Sequence, residues 1–390
     1  MTAPRLRALP RPEPLADQAT VVHVVGARPN FVKMAPLIEA LRRRGAARQV
    51  VVHTGQHYDR RMSEEILEDL GFPAPDHSMG IGSGSHGEQT GKVLIAFERI
   101  LLEERPGLVV VAGDVNSTLA AALAASKLHI GVAHIESGLR SRDWGMPEEV
   151  NRVLTDRVSD VLLCTSADAV ENLASEGITG EGVQLVGNTM IDSLFRLLED
   201  VNRPAVLGRN AVKSREFVLV TLHRPALVDD PERLAAVLTV LARLADKLPV
   251  VFPMHPRTRA RLNDVAPAAL ERLVVIDPLE YLDFIAVQAS ARLVVTDSGG
   301  VQEETSALGV PCLTYRDNTE RPITVQQGTN RLIGVDPAAL ERAGAEELSR
   351  SLTQARPIPL WDGRAGERAA GAIMELLDRR DGLHERSRAA

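Results

Sequence analysis

The sequence predicts an α/β fold of two Rossmann-like, doubly wound domains facing a cleft. Short Val/Ile/Leu runs alternate with longer helical patterns along nearly the whole chain, which is how βαβ units read. The runs are almost continuously apolar, so their strands are expected to be buried on both faces of parallel sheets. The most unusual polar residues follow the ends of those runs, where open α/β sheets bind ligands.

In chain order, residues 1–20 hold Arg and Pro but no long apolar core, and read as a disordered tail rather than a signal peptide. The first domain spans 21–190, with strands VVHVVG (21–26), QVVVHT (49–54), LVVVAGD (108–114), GVAHIES (131–137), VLLCTS (161–166) and VQLVGN (183–188). FVKMAPLIEALRRRG, SEEILEDLG and STLAAALAASKLHI read as helices between them. The boundary falls near 187–215, where GNTMIDSLFRLLED reads as helix and VNRPAVLGRNAVKSRE as a connector. The second domain spans 191–375, with strands FVLVTLH (217–223), PVVFPMH (249–255), LVVID (273–277), LVVTDS (293–298) and VPCLTY (310–315), and PERLAAVLTVLARLADKL as a helix. Residues 376–390 read as a frayed polar tail. The halves share architecture but no repeat of fixed period.

The chain has 390 residues, 44% hydrophobic and 25% charged, with net charge −7 and pI near 5.9. That balance argues against a duplex nucleic-acid binder, while local cations can still bind an anionic substrate. The two cysteines, Cys164 and Cys312, lie in apolar runs without metal-ligand spacing and give no disulfide framework. No apolar stretch reaches the ~18 residues of a membrane span. A cytoplasmic, metal-free protein is expected.

The polar residues then sort into sites. Arg28 follows the first strand; His53, Gln56 and His57 close or follow the second; Asp114 and Glu136 end two more. His223, Arg224 and His255 follow strands of the second half, and Asp297 and Ser298 close another before Gly299 and Gly300. The run LVVTDSGGVQEETSALG reads strand, Ser-Gly-Gly, helix. Glycines let backbone approach a phosphate, and a helix N-terminus offers N–H groups and a positive dipole end; a capped helix start is the plainer alternative. Glu304 is placed to reach a ribose hydroxyl and Arg321 to add a cation to a diphosphate. Gly82, Gly84 and Gly87 match G-x-G-x-x-G, but they follow PAPDHSMGI, which does not read as a strand, so the motif is rejected as a dinucleotide fingerprint. Asp114, Glu136 and Glu148, with Lys33 facing the same cleft, form a carboxylate cluster able to yield acids and bases usable near neutral pH. N-capping by Asp114 and a first-turn helix charge at Glu148 are the plainer alternatives.

GARPNFVKMAPL, TGQHYD, GDVNSTLA, HIESGLRSRDWGMPEEVNRVLTD, LVGNTMIDSL, TLHRP, TDSGGVQEE and RDNTERP, in this order, closely resemble the non-hydrolysing UDP-N-acetylglucosamine 2-epimerases from about residue 20 to 375. The resemblance implies a glycosyltransferase-B type fold with the last helix crossing back to the first domain. It implies UDP binding at Arg28, His223, Ser298, Gly299, Gly300, Glu304 and Arg321, and catalysis at Lys33, Asp114, Glu136, Glu148 and His223. It implies a homodimer, and a second UDP-sugar acting as activator near Gln56 and His57. Two positions depart from the pattern: Leu227 replaces a common Asn, and Ser137 a usual Ala.

The chemistry expected is inversion at C2 of a UDP-linked 2-acetamido sugar. The C2 proton is not acidic, and a redox route would need a nicotinamide site that the sequence lacks. Elimination of UDP to a 2-acetamidoglucal, then re-addition, needs a stabilised leaving group and carboxylates on two faces, and no cofactor. The rivals are the same reaction on UDP-2,3-diacetamido-glucuronic acid, of whose epimerases HGEQTGK is reminiscent; a hydrolysing epimerase; a UDP-sugar glycosyltransferase; and a non-catalytic sensor.

Overall fold

The strand-forming residues are Val-rich, and β-branched side chains favour extended backbone. A computed structural model describes residues 19–45, 47–55, 69–254, 258–259, 267–351 and 356–389. The first sheet holds β1 (Thr20–Val25), β2 (Arg48–His53), β3 (His77–Ser78), β4 (Leu108–Ala112), β5 (Gly131–Ser137), β6 (Val161–Cys164) and β7 (Val183–Leu185). The second holds β8 (Val218–Thr221), β9 (Val250–Pro253), β10 (Val274–Ile276), β11 (Leu293–Thr296), β12 (Cys312–Thr314) and β13 (Asn330–Leu332).

The sheet orders are β3-β2-β1-β4-β5-β6-β7 and β10-β9-β8-β11-β12-β13. Neighbouring strands are parallel, for example Val22 opposite Val50 and Leu219 opposite Val251. Each order reverses direction once, at β1/β4 and at β8/β11. Those are the topological switch points, where doubly wound sheets leave a crevice beyond the carboxyl ends.

Both faces of each sheet are covered. In β8 and the residue before it, Phe217 and Leu219 enter one apolar cluster while Val218 and Val220 enter another, as a two-residue period requires. Burying each such side chain contributes about 1.5–3 kcal/mol, and the four are fully buried.

The described residues divide into two compact units, one within 1–196 plus 359–390 and the other 197–358. Trp361 donates from Nε1 to the Thr165 carbonyl at 2.9 Å, within the first unit. The last helix, Ala365–Ala389, begins beneath Asp192, whose carboxylate accepts from Ala365 N at 3.1 Å and Gly366 N at 2.7 Å. Gly366 lies against Pro36 of the helix Arg28–Arg44, where an added Cβ would come within 2.7 Å.

Several elements differ from the sequence reading. The segment before the glycines of residues 82–87, expected not to be a strand, contains β3. The strand is two polar residues, paired only as Val52↔His77 and His53↔Ser78, and carries no apolar signature. It is the edge strand of its sheet, away from the switch point. The connector after residue 200 contains the helix Arg203–Arg209, started by the Asn202 side chain accepting from Ala205 N at 3.2 Å. The expected polar tail is helical to Ala389, because its Arg, Leu, Glu and Ala residues are strong helix formers with no proline to stop them. Among the described residues no helix is long and apolar enough to cross a membrane.

Candidate active site

In the first unit, the residues after β1, β4 and β5 converge. The helix Arg28–Arg44 starts straight after β1, with Arg28 exposed at its first position. Asn30 fastens this turn: its Oδ1 accepts from Gly26 N at 3.1 Å and Ala27 N at 2.8 Å, and its Nδ2 donates to the Ala112 carbonyl at 2.9 Å. One turn in, Lys33 Nζ lies 2.6 Å from Glu136 Oε2, with both side chains buried. Gly113 admits that ammonium, since an added Cβ would stand 3.1 Å from Nζ; its φ of +66° also favours glycine.

Glu136 sits at a register shift between β5 and β6, with φ +68°. A left-handed backbone at a non-glycine residue costs on the order of 1–3 kcal/mol and persists where the surroundings over-determine it. The bulge re-aims the Glu136 side chain onto Lys33. Asp114, the residue after Gly113, is partly exposed and pairs through Oδ2 with Arg152. Lys33, Asp114 and Glu136 are thus brought together at one end of the sheet.

Glu148 lies on the first turn of the helix Pro147–Val158 and is exposed. Its neighbour Glu149 is the buried one. Glu149 accepts from Ser141 N and Oγ, both at 2.9 Å, and from Arg142 N at 2.7 Å, and pairs with Arg152. Behind them His134 is fully buried, with Nδ1 2.7 Å from Asp156 Oδ1 and Nε2 2.8 Å from the Gly113 carbonyl. Burial raises the Asp156 carboxyl, but His134 and Arg140 outweigh it and hold it below the usual carboxylate range.

In the second unit the corresponding residues follow β8 and β11. Asp297 Oδ2 accepts from His223 N at 2.9 Å and Arg224 N at 2.8 Å, and His223 Nδ1 lies 3.0 Å from Oδ1. Burial alone would raise the Asp297 carboxyl; the His223 ring and these backbone N–H groups reverse that and hold it low. His223 itself keeps 45% of its side chain exposed, so its other edge faces outward.

Ser298, Gly299 and Gly300 are half-buried at the start of the helix Gly299–Leu308, and Ser298 caps it without a side-chain hydrogen bond. The capping alternative is therefore not what its hydroxyl does. An added Cβ at Gly299 would stand 2.5 Å from Arg321 Nη1, so glycine brings the guanidinium against the helix start. Arg321 is buried between two carboxylates, with Nε 2.8 Å from Glu303 Oε2 and Nη1 on Glu320 Oε1. Glu304 is buried and accepts from the Tyr281 hydroxyl at 2.8 Å.

Sequence reasoning missed Arg152, Glu149, Asn151, His134, Asp156 and Tyr281. Positions 149, 152 and 156 share one helix stripe, a spacing visible in PEEVNRVLTD. Gln56, His57 and His255 lie outside the described residues. The two departures are absorbed by packing: Leu227 is buried in an apolar cluster, and Ser137 Oγ lies 3.6 Å from Cys164 Sγ.

The chain and its fold are similar to those of known proteins. A UDP-N-acetylglucosamine 2-epimerase of Methanocaldococcus jannaschii is 41% identical over 355 residues, covering 88% of this chain and 96% of that protein. A UDP-2,3-diacetamido-2,3-dideoxy-D-glucuronate 2-epimerase of Pseudomonas aeruginosa is 40% identical over 362 residues, covering 92% and 99%. The crystal structure of the M. jannaschii enzyme in complex with UDP-GlcNAc and UDP superposes with TM-score 0.82 at 40% identity, over 92% of this chain and 99% of that one. The fold is accordingly the expected pair of parallel-sheet α/β domains of glycosyltransferase-B type. The family model described as UDP-N-acetylglucosamine 2-epimerase matches residues 39–374, and the chain belongs to that family.

Proposed function

We propose that this chain interconverts UDP-N-acetylglucosamine and UDP-N-acetylmannosamine. The observation that carries the reading is the buried Lys33–Glu136 pair, its ammonium against Gly113 next to Asp114, with Glu136 held in a left-handed backbone. A residue that only binds a phosphate or a ribose needs no such arrangement. A base drawn from Asp114, Glu136 and Glu148 takes the C2 proton. The C2–H electron pair forms the C1=C2 double bond, and UDP departs with the C1–O pair. The diphosphate is received by the Ser298-Gly299-Gly300 helix start, Arg321, His223 and Arg28, and Glu304 takes a ribose hydroxyl. UDP then re-adds at C1 while a second acid delivers a proton to the opposite face of C2. Lys33 neutralises carboxylate charge beside the ring, and His223, oriented by Asp297, supports the leaving oxygen.

The same reaction on UDP-2,3-diacetamido-glucuronic acid is the second reading. It is favoured by the HGEQTGK segment: Asn116, two residues past Asp114, donates to Gln89 Oε1 at 2.9 Å and lies 3.2 Å from His86 Nδ1. The P. aeruginosa relative named for that sugar is about as similar as the archaeal ones. A cytoplasmic homodimer, with a second UDP-sugar bound at Gln56 and His57 as activator, completes the proposal.

The test is proton NMR of UDP-N-acetylglucosamine with the pure protein in D₂O and no added cofactor. UDP-N-acetylmannosamine carrying deuterium at C2 is expected. No exchange, with turnover of the diacetamido sugar, moves the reading to the second substrate. No exchange with either sugar sinks the epimerase reading and leaves a glycosyltransferase or a sensor.

A further inference from the structure

Several side chains of the helix Pro147–Val158 converge on one short stretch of chain, the exit of β4. Asn151 Nδ2 donates to the Asp114 carbonyl at 2.9 Å and to Asn116 Oδ1 at 3.2 Å. Arg152 pairs with Asp114 Oδ2 through one guanidinium nitrogen and with Glu149 Oε2 through another. Asp156, one turn on, holds His134, which meets the carbonyl of Gly113. Asp114 is thereby fixed by its own carbonyl, by its side chain and by the carbonyl before it. Glu149 carries the fixation further. It accepts from Ser141 N and Oγ and from Arg142 N, in the loop that runs into Glu148.

We propose that Arg152 is a positioning residue that sets the Asp114 carboxylate and, through Glu149, the approach to Glu148, so that the two proton-transfer groups keep a fixed relation. The inference rests on the epimerase reading above and goes beyond it by naming the residue that aligns its acids and bases. Arg152 is 3% exposed, and a buried ion pair adds little net stability over an apolar replacement of equal volume. A planar guanidinium spanning two carboxylates does, however, fix direction as well as charge. Asp114 retains 22% side-chain exposure beside it and stays open to a substrate.

The experiment compares Arg152→Gln, Arg152→Lys and wild type for kcat and KM in the C2 exchange assay, with UDP affinity measured alongside. A positioning role predicts that Arg152→Gln loses kcat about 10²-fold, because small misplacements of reacting groups cost that much. KM is expected to stay within about threefold, since ground-state binding is not what is lost. Arg152→Lys, which keeps the charge but not the fork, is expected to recover about tenfold of the loss. With wild type active, Arg152→Gln keeping kcat within about threefold, or raising KM alone, overturns the proposal. Should Arg152→Gln fail to bind UDP, Arg152→Lys carries the test: wild-type kcat overturns the proposal, and a kcat about tenfold lower at unchanged KM supports it. An inactive wild type sinks the epimerase reading itself, and this inference with it.

Discussion

Glu136 and Asp114 were legible because each ends an apolar strand, where a carboxylate has no packing role. What the sequence could not convey is how each is held. The left-handed backbone of Glu136 and its pairing with Lys33 arise from a bulge against β6, a contact about 30 residues distant in the chain. Substituting a true proton-transfer group costs roughly 10²–10⁴-fold in rate. Asp114→Asn and Glu136→Gln are each expected to lose turnover in that range while UDP affinity, read by calorimetry, is unchanged. Near-normal turnover in either variant removes that residue from the chemistry. Arg321 is a different case. It read as a cation added to the diphosphate, and it stands between Glu303 and Glu320. Breaking a buried pair by removing one partner costs about 3–5 kcal/mol. Arg321→Ala is therefore expected to lower the unfolding free energy, read by chemical denaturation, by that order as well as weaken UDP binding; an unchanged unfolding free energy counts against the buried pairing.

At the scale of elements, long β-branched strands and helices such as Arg28–Arg44 and Pro231–Leu244 announced themselves, while most of SEEILEDLG, read as a helix, lies outside the described residues. The unannounced elements include β3, β13 and the helix Arg203–Arg209, which are short or fixed by one local contact such as the Asn202 cap, and also the longer helices His86–Glu104 and Pro337–Ser349. The helix starts carry two predictions. Gly299→Ala puts a methyl 2.5 Å from Arg321 Nη1, so the guanidinium must move. UDP affinity is expected to fall about tenfold, the equivalent of one displaced charge-assisted hydrogen bond, and unchanged affinity would mean that Arg321 does not meet the diphosphate. At the start of the last helix, burial pushes the Asp192 carboxyl up to about 6 from an ordinary 3.8, against the opposing pull of the Gly366 and Ala365 N–H groups. A carboxyl raised by folding contributes stability that is fully present below pH 3.8 and is lost as pH rises through 6. Wild type should gain on Asp192→Asn by on the order of 2–3 kcal/mol between pH 7 and pH 4. Parallel melting curves across that range check it, and a pH-independent difference refutes it.

For the whole molecule, the fold class followed from periodicity alone, because parallel strands buried on both faces leave an unambiguous apolar trace. The switch points at β1/β4 and β8/β11 then explain why the polar residues gather where they do. Periodicity carried no information on how the carboxyl-terminal stretch is assigned. Residues from 359 onward belong with the first unit, so the second unit is in effect an insertion within it. That arrangement has a consequence for synthesis on the ribosome. The first half of the chain emerges long before the helix that covers Pro36 and donates to the Asp192 carboxylate, whereas residues 197–358 are contiguous and can finish folding as they appear. A nascent chain stalled after Ile358 plus an unstructured tether long enough to fill the exit tunnel should yield a protease-resistant fragment from the second unit only, and the first should become resistant only when the last helix is also carried clear of the tunnel.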